Sequence, residues 1–392
     1  VTRAWQSCQH DHVPTPLMDR YPAIADLERL AKRRIPSFSW EYLASGTGTE
    51  STLHRNIEAM ADVRLRPQLM KGLLDPVTTT TLFGVEYAAP IGIAPIGLSG
   101  LIWPGADLTL AKMAAKKNIP HTLSTVGTGK LEEIGPAADG HGWFQLYSPR
   151  DTDLRDRLLD RVAECGFTTL VVTADVPIAS RRERQRRARI RVPPKIGPAL
   201  VAQSIRRPVW AMGVLRNGLP RFRTLEDYVD RSTMKMTAGF VGASLGGTLG
   251  WEYLAEVRQR WAGPIVVKGI LDADDAARCI ETGADAVQVS NHGGRQLDGS
   301  IAAIEALPDI VERIGGQSPV LFDSGVRDGL DVARAVALGA DFVFCGRAFM
   351  FGLAGLGPAG AAHAYDILHE GLVNVMHQTG CNRLDELAGR LV

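Results

Sequence analysis

Eight short apolar runs, separated by stretches patterned for helices, restrict the fold of this chain more than any other feature. The runs are Pro90–Ile96, His121–Val126, Trp143–Tyr147, Leu170–Asp175, Ile265–Ile270, Ala286–Asn291, Val320–Ser324 and Phe342–Gly346. Most are rich in Val, Ile, Leu and Phe without an alternating polar face, as expected of strands covered on both sides of a parallel sheet. Amphipathic runs such as Ala106–Lys117, Thr152–Cys165, Ala273–Thr282 and Leu330–Leu338 lie between them. Strand then helix, eight times over, predicts the α/β architecture of a (β/α)8 TIM barrel.

At 392 residues and 45% hydrophobic, the chain can build that barrel as one domain spanning 1–392. Residues 1–85 precede the first strand and are expected to form helices and loops packed on the barrel. Residues 355–392 are expected to be C-terminal helices. A net charge of +1 gives no reason to expect nucleic acid. Cys8, Cys165, Cys279, Cys345 and Cys381 lack the paired spacing of a disulfide framework or a metal site, and suit a reducing cytoplasm. The start of the chain, with Arg3, His10, Asp11, His12, Asp19 and Arg20, does not read as a signal peptide. No run reaches the roughly 18–20 apolar residues of a membrane span.

The alternation is interrupted by a long insertion, 181–250, after the fourth strand. Its first part, Arg181 to Arg223, holds 13 Arg or Lys against the single acid Glu183, a net of +12, so the remainder of the chain is net −11. The same part carries Ile196, Leu200, Val201, Ile205, Val209, Trp210, Met212, Val214 and Leu215. Basic and apolar together fit attraction to an anionic membrane surface; a solvated lid or a subunit contact fits as well.

Polar residues collect where the strands end: Ser124, Gln145 with Tyr147, Thr173 with Asp175, Lys268, Asn291 with His292, Asp323 and Arg347. In barrels of this kind that end carries the chemistry. The sharpest segment is Ser290-Asn291-His292-Gly293-Gly294-Arg295-Gln296-Leu297-Asp298-Gly299. A histidine is the usual base near neutral pH, and an arginine three residues on presents a planar fork that matches a carboxylate. Asp175 can orient that imidazole across the barrel mouth, and Arg182 can serve as a second clamp. Lys268 ends an apolar strand, where a lysine rarely stays unpaired; it can stabilise negative charge on a ligand or form a Schiff base. The last two strands run into Asp323-Ser324-Gly325-Val326-Arg327 and Gly346-Arg347. Glycine-rich loops with arginines after strands seven and eight are the common barrel phosphate site. These residues describe a barrel holding a phosphorylated ligand beside a His–Arg pair suited to a carboxylate. A non-redox isomerase or lyase acting on a phosphorylated substrate remains compatible with them.

The run Ser290–Gln296 resembles the active-site signature of the FMN-dependent 2-hydroxy acid oxidase and dehydrogenase family, and the likeness extends from about Ile35 to Cys381. That resemblance implies FMN as cofactor and oxidation of an L-2-hydroxy acid to the 2-oxo acid. It implies His292 as the base, Asp175 as its partner, Arg295, Arg182 and Tyr42 on the substrate carboxylate, and Tyr147 beside the substrate hydroxyl. It places Ser124, Gln145, Thr173 and Lys268 around the flavin ring, with the backbone of Pro95, Ile96 and Gly97 packed on it. Asp323, Gly325, Arg327, Gly346 and Arg347 fall at the ribityl and phosphate positions. Proton removal from substrate oxygen or carbon fits equally well. The family usually forms tetramers, so a homotetramer is implied. Val126 stands where glycolate oxidases carry a Trp, and Leu43 where they often have a second Tyr. Gly97–Pro104 and Arg207-Pro208-Val209-Trp210 look most like the mandelate dehydrogenase branch. A bulky or aromatic acid such as mandelate is therefore expected, with lactate second. Oxygen, a quinone or another carrier is expected to take the electrons. The basic insertion and the likeness to the mandelate dehydrogenase branch tilt the expectation toward a cytoplasmic dehydrogenase touching the inner face of the membrane.

Overall fold

The computed structural model describes residues 16–189, 197–228, 245, 246 and 249–392. Cys8, His10 and His12, and the insertion residues Arg191, Lys195 and Ile196, lie outside the described residues.

Two short strands, β1 (Thr80–Leu82) and β2 (Val85–Tyr87), pair antiparallel as a hairpin. Eight strands follow: β3 (Ile91–Ile93), β4 (His121–Ser124), β5 (Gly142–Leu146), β6 (Thr169–Thr173), β7 (Ile265–Ile270), β8 (Ala286–Val289), β9 (Val320–Asp323) and β10 (Phe342–Cys345). They form a closed barrel, each parallel to its neighbours, with β10 returning to β3. Every strand is followed in sequence by a helix, from Ala106–Lys117 after β3 to Arg347–Leu356 after β10. The (β/α)8 expectation is met.

All the barrel strands but β7 stop sooner than the apolar runs do. β3 ends at Ile93 rather than Ile96, β6 at Thr173 rather than Asp175, and β8 at Val289 rather than Asn291. Beyond these points the backbone turns out of the ladder: Leu98, His292 and Ser324 all have positive φ. Ser124, Gln145, Thr173, Lys268 and Asp323 therefore stand within the last residues of their strands, while Tyr147, Asp175, Asn291, His292 and Arg347 sit one to three residues past them, at the barrel mouth.

The barrel interior is filled by Trp143, Val171, Val266, Leu321, Phe342 and Phe344. The hairpin plugs its lower end, with Tyr87 edge-on to Phe342 at 5.4 Å and Phe83 against Trp143 at 5.8 Å. Three-residue strands fall below what apolar periodicity resolves, so the sequence reading of 1–85 as helices and loops missed this hairpin. The helices expected there are present, including Ile24–Arg34, Ser37–Ala44 and Ser51–Asp62. The first buries Ile24, Leu27 and Ala31, one stripe of its surface, and Arg34 donates to Gly355 O (2.7 Å) in the helix that follows β10. Within the insertion the structure shows helices at Glu183–Arg187, Pro198–Ile205 and Pro208–Asn217.

Candidate active site

The site forms because β6, β7 and β8 end side by side. β7 carries a register shift between Lys268 and Ile270. Gly269 sits there at φ +101°, and a Cβ on it would fall 2.6 Å from the Asp175 side chain. The absent side chain is what lets Asp175 settle over β7 and reach His292. Asp175 Oδ1 lies 3.0 Å from His292 Nδ1. His292 is itself left-handed, at φ +57°, a conformation that costs about 1–3 kcal/mol and persists where the surroundings impose it. Its amide donates to Ser290 Oγ (3.1 Å) and that of Gly293 to Ser324 Oγ (3.0 Å).

Burial lowers the His292 pKa, and the nearby carboxylate of Asp175 only partly opposes this. The imidazole is therefore neutral at neutral pH, the form that can accept a proton. Burial alone would raise Asp175, but His292 and Lys268 hold it below the usual carboxylate value. With Nδ1 facing Asp175, Nε2 is the atom left for a ligand. Tyr147 is half-buried on the cavity wall, and desolvation there raises its pKa and keeps its hydroxyl protonated.

Two guanidiniums face this imidazole. Arg295 Nη1 donates to the carbonyls of Tyr42 (3.0 Å), Leu43 (3.3 Å) and Ser45 (3.1 Å), which fixes its plane at the end of helix Ser37–Ala44. Its Nε and Nη2 have no protein acceptor among the described residues. Burial, then the nearby charge of Arg182, lowers the Arg295 pKa to about 10, so it remains a cation at neutral pH. Tyr42 donates its hydroxyl to Gly97 O (2.9 Å); it must release this bond to donate to a carboxylate.

A single cavity of about 880 Å³ joins these groups to the loops after β9 and β10. It is lined by Tyr42, Pro95, Ile96, Gly97, Gln145, Tyr147, Thr173, Arg182, Lys268, His292, Arg295, Asp323, Gly325, Arg327, Gly346 and Arg347. Of the residues singled out from the sequence, Ser124 and Asp175 stand behind the wall. Ser124 Oγ donates to Gln145 Oε1 (2.7 Å), and Gln145 Nε2 to Thr173 Oγ1 (2.9 Å), a buried chain that sets which edge of the Gln145 amide faces the cavity. Lys268 is paired, as expected: Nζ lies 2.8 Å from Asp323 Oδ2 and donates to Ser290 Oγ at 2.7 Å. That ion pair occupies the amine, which argues against a Schiff base.

At the far end, among the described residues, Arg347 donates only to carbonyls, those of Gly293 (2.9 Å), Ser45 (3.2 Å) and Leu43 (3.4 Å), and Arg327 to Val326 O (2.8 Å). Burial lowers both pKa values, Arg347 strongly. Among the described residues neither has a carboxylate within ion-pair distance. Two half-buried cations without a counter-ion invite an anion to join them. Gly346 stands before the helix Arg347–Leu356, and a Cβ there would meet nothing closer than 3.8 Å, so any larger side chain would intrude on the cavity. Helix amides and two guanidiniums form a donor-only set suited to a phosphate. Gln145, Thr173 and Lys268 offer mixed polar edges for a flat heterocycle between phosphate and imidazole. The residues present fit a flavin mononucleotide.

A family profile described as FMN-dependent dehydrogenase matches residues 31–392. The chain belongs to this family. It is an FMN-dependent oxidoreductase, and the non-redox alternative is set aside. The chain is 39% identical to an L-lactate dehydrogenase of Caulobacter sp. (strain K31), over 92% of this chain and 96% of that one. It is 38% identical to an L-lactate dehydrogenase of Pectobacterium atrosepticum, over 93% and 95%. Among solved structures it is similar to a monotopic membrane protein, (S)-mandelate dehydrogenase, with a TM-score of 0.89 and 33% identity over 94% of this chain and 98% of that one. It is also similar to a mandelate oxidase, with a TM-score of 0.80 and 33% identity over 95% and 98%.

Sequence reasoning gave no role to several residues the structure places here. Asn56, in the N-terminal extension, exchanges two amide hydrogen bonds with Asn291 (2.9 and 2.7 Å). Such pairing across 235 residues leaves no local trace. Gln296 was visible only as the last letter of a motif.

Proposed function

We propose that this protein oxidises an L-2-hydroxy acid to the 2-oxo acid, with a substrate side chain larger than the methyl of lactate. The observation that carries the reaction is the His292–Asp175 pair opposite two guanidiniums in one cavity. Arg295 and Arg182 hold the substrate carboxylate, joined by Tyr42 once its hydroxyl leaves Gly97. His292 Nε2 takes a proton from the substrate, and Asp175 stabilises the imidazolium that results. Tyr147 remains protonated and donates to the substrate oxygen. When bound, FMN supplies the two-electron acceptor, held by Gln145, Thr173, Lys268, Asp323, Arg327 and Arg347, beside the backbone of Pro95–Gly97, Gly325 and Gly346.

The comparisons divide on the substrate: the sequence relatives named above are lactate dehydrogenases, the structures mandelate enzymes. The larger side chain is favoured by the wall at Val126. A Cβ on Gly97 would fall 2.8 Å from Val126 Cγ2 and 3.6 Å from the Tyr42 hydroxyl. Val126 thus stands next to the carboxylate-binding tyrosine, and its small side chain leaves apolar space there. The test is bleaching of the visible flavin band, without oxygen, by (S)-mandelate and by L-lactate. Faster bleaching at lower concentration with mandelate supports the reading; exclusive response to lactate overturns the substrate assignment and leaves the reaction standing. Admitting air afterwards separates an oxidase from a dehydrogenase that needs a quinone or another carrier. A dehydrogenase is the reading we favour, with peripheral membrane contact through 181–223.

A further inference from the structure

Arg182 occupies an unusual position. Its φ is +43°, the left-handed region that a long side chain rarely adopts, and it opens helix Glu183–Arg187. Three bonds keep it there: its amide to Thr47 Oγ1 (3.3 Å), Nε to Ser180 Oγ (2.9 Å) and Nη2 to Gln296 Oε1 (3.1 Å). The third partner also works at its other end. Gln296 Nε2 donates to Asp175 O (3.2 Å) and Ile178 O (3.3 Å). The orientation of the amide is forced, because a flip would set NH2 against the guanidinium and oxygen against two carbonyls. One side chain therefore links the loop of the base, the loop of its carboxylate partner and the second guanidinium.

We propose that Gln296 is a positioning residue, which aims Arg182 at the substrate carboxylate and fixes the 175–178 loop relative to His292. The inference rests on the reading that Arg182 binds that carboxylate. Gln296→Met keeps length and volume and removes all three bonds. The expected result is a rise of about tenfold in KM for the 2-hydroxy acid, with a smaller change in kcat and unchanged FMN content and visible spectrum. Gln296→Glu is the second variant, for use if Gln296→Met does not accumulate. It sets a carboxylate beside Arg182 in competition with the substrate, so KM should rise at least as far. The deciding comparison adds Arg182→Met and the double variant. If Gln296 acts through Arg182, the double variant matches Arg182→Met alone in KM instead of summing the two effects. An unchanged KM in Arg182→Met means the carboxylate reading fails, whatever Gln296 does. A raised KM in Arg182→Met, together with a normal KM in Gln296→Met and Gln296→Glu or with additive effects, overturns the role of Gln296 alone.

Discussion

At the scale of single residues, His292 combines two opposing requirements. As the proposed base it must be neutral to accept a proton, which burial favours, and it must tolerate the charge once it has one, which the nearby Asp175 carboxylate favours. Replacing His292 with Ala should leave FMN bound and slow flavin reduction by about 10²–10⁴; stopped-flow reduction at a rate near that of the parent would refute the base assignment. Asp175→Asn separates the two requirements. Because the carboxylate raises the His292 pKa, its removal should move the acid limb of kcat/KM further below 6.5 while lowering the plateau rate; a limb that stays in place would deny the coupling. Val126→Trp should cost about tenfold or more in kcat/KM for a bulky acid and spare a small one. Equal losses for both would show that Val126 does not border the substrate side chain. His292, Arg295 and the two glycine-rich loops were legible because their chemistry is local to a short run of sequence. Gln296 and Asn56 were not, since their partners lie 114–121 and 235 residues away.

At the scale of elements, the N-terminal extension is part of the site. Helix Ser51–Asp62 has Glu50 at its N-cap in a left-handed conformation and makes no side-chain cap of its own. The cap comes from Asp298, beyond the His292–Arg295 loop: its Oδ1 accepts from Thr52 N (3.0 Å) and Ser51 Oγ (2.8 Å), and Oδ2 from Thr49 N (2.6 Å) and Oγ1 (2.7 Å). These donors lower the Asp298 pKa despite some desolvation. The run after Arg295 therefore pins helix and loop to each other. Asp298→Ala should destabilise the protein by about 1–2 kcal/mol, as the loss of an N-cap does. Thermal unfolding of the FMN-loaded protein measures it, and an unchanged midpoint would mean that Glu50 or water replaces the cap. The alternation of strand and helix made the barrel readable, since each buried strand is a continuous apolar run. The exact strand ends were not, because apolar composition continues past the last ladder bond into loops whose backbone turns at Leu98, His292 and Ser324. The hairpin that plugs the barrel was too short to register.

At the scale of the whole molecule, the insertion shows one thing in sequence and another in space. The sequence gives its charge: a segment of net +12 on a remainder of net −11. The structure adds which side faces out. Trp210 anchors helix Pro208–Asn217, its Nε1 donating to Ile102 O (3.1 Å) and its ring edge-on to Phe38 at 5.5 Å. Away from that anchor Ile205 and Leu215 are 70% and 79% exposed, and Val201, Val209, Met212 and Leu219 are exposed as well. Arg206 and Arg216 are exposed beside them. Among the described residues no helix is long and apolar enough to cross a bilayer, and the contact proposed above is with its surface. Exposed apolar side chains with arginines beside them suit an anionic one, where each basic residue contributes about 1 kcal/mol near the surface. The protein should sediment with vesicles containing anionic lipid and much less with zwitterionic ones, and salt should weaken the binding. Ile205→Asp with Leu215→Asp should release it while leaving flavin reduction by substrate intact, since neither residue borders the cavity. If these helices instead join copies of the chain, the parent protein will ignore vesicles and the double variant will sediment as a smaller species. The two measurements together decide which surface the insertion was built to meet.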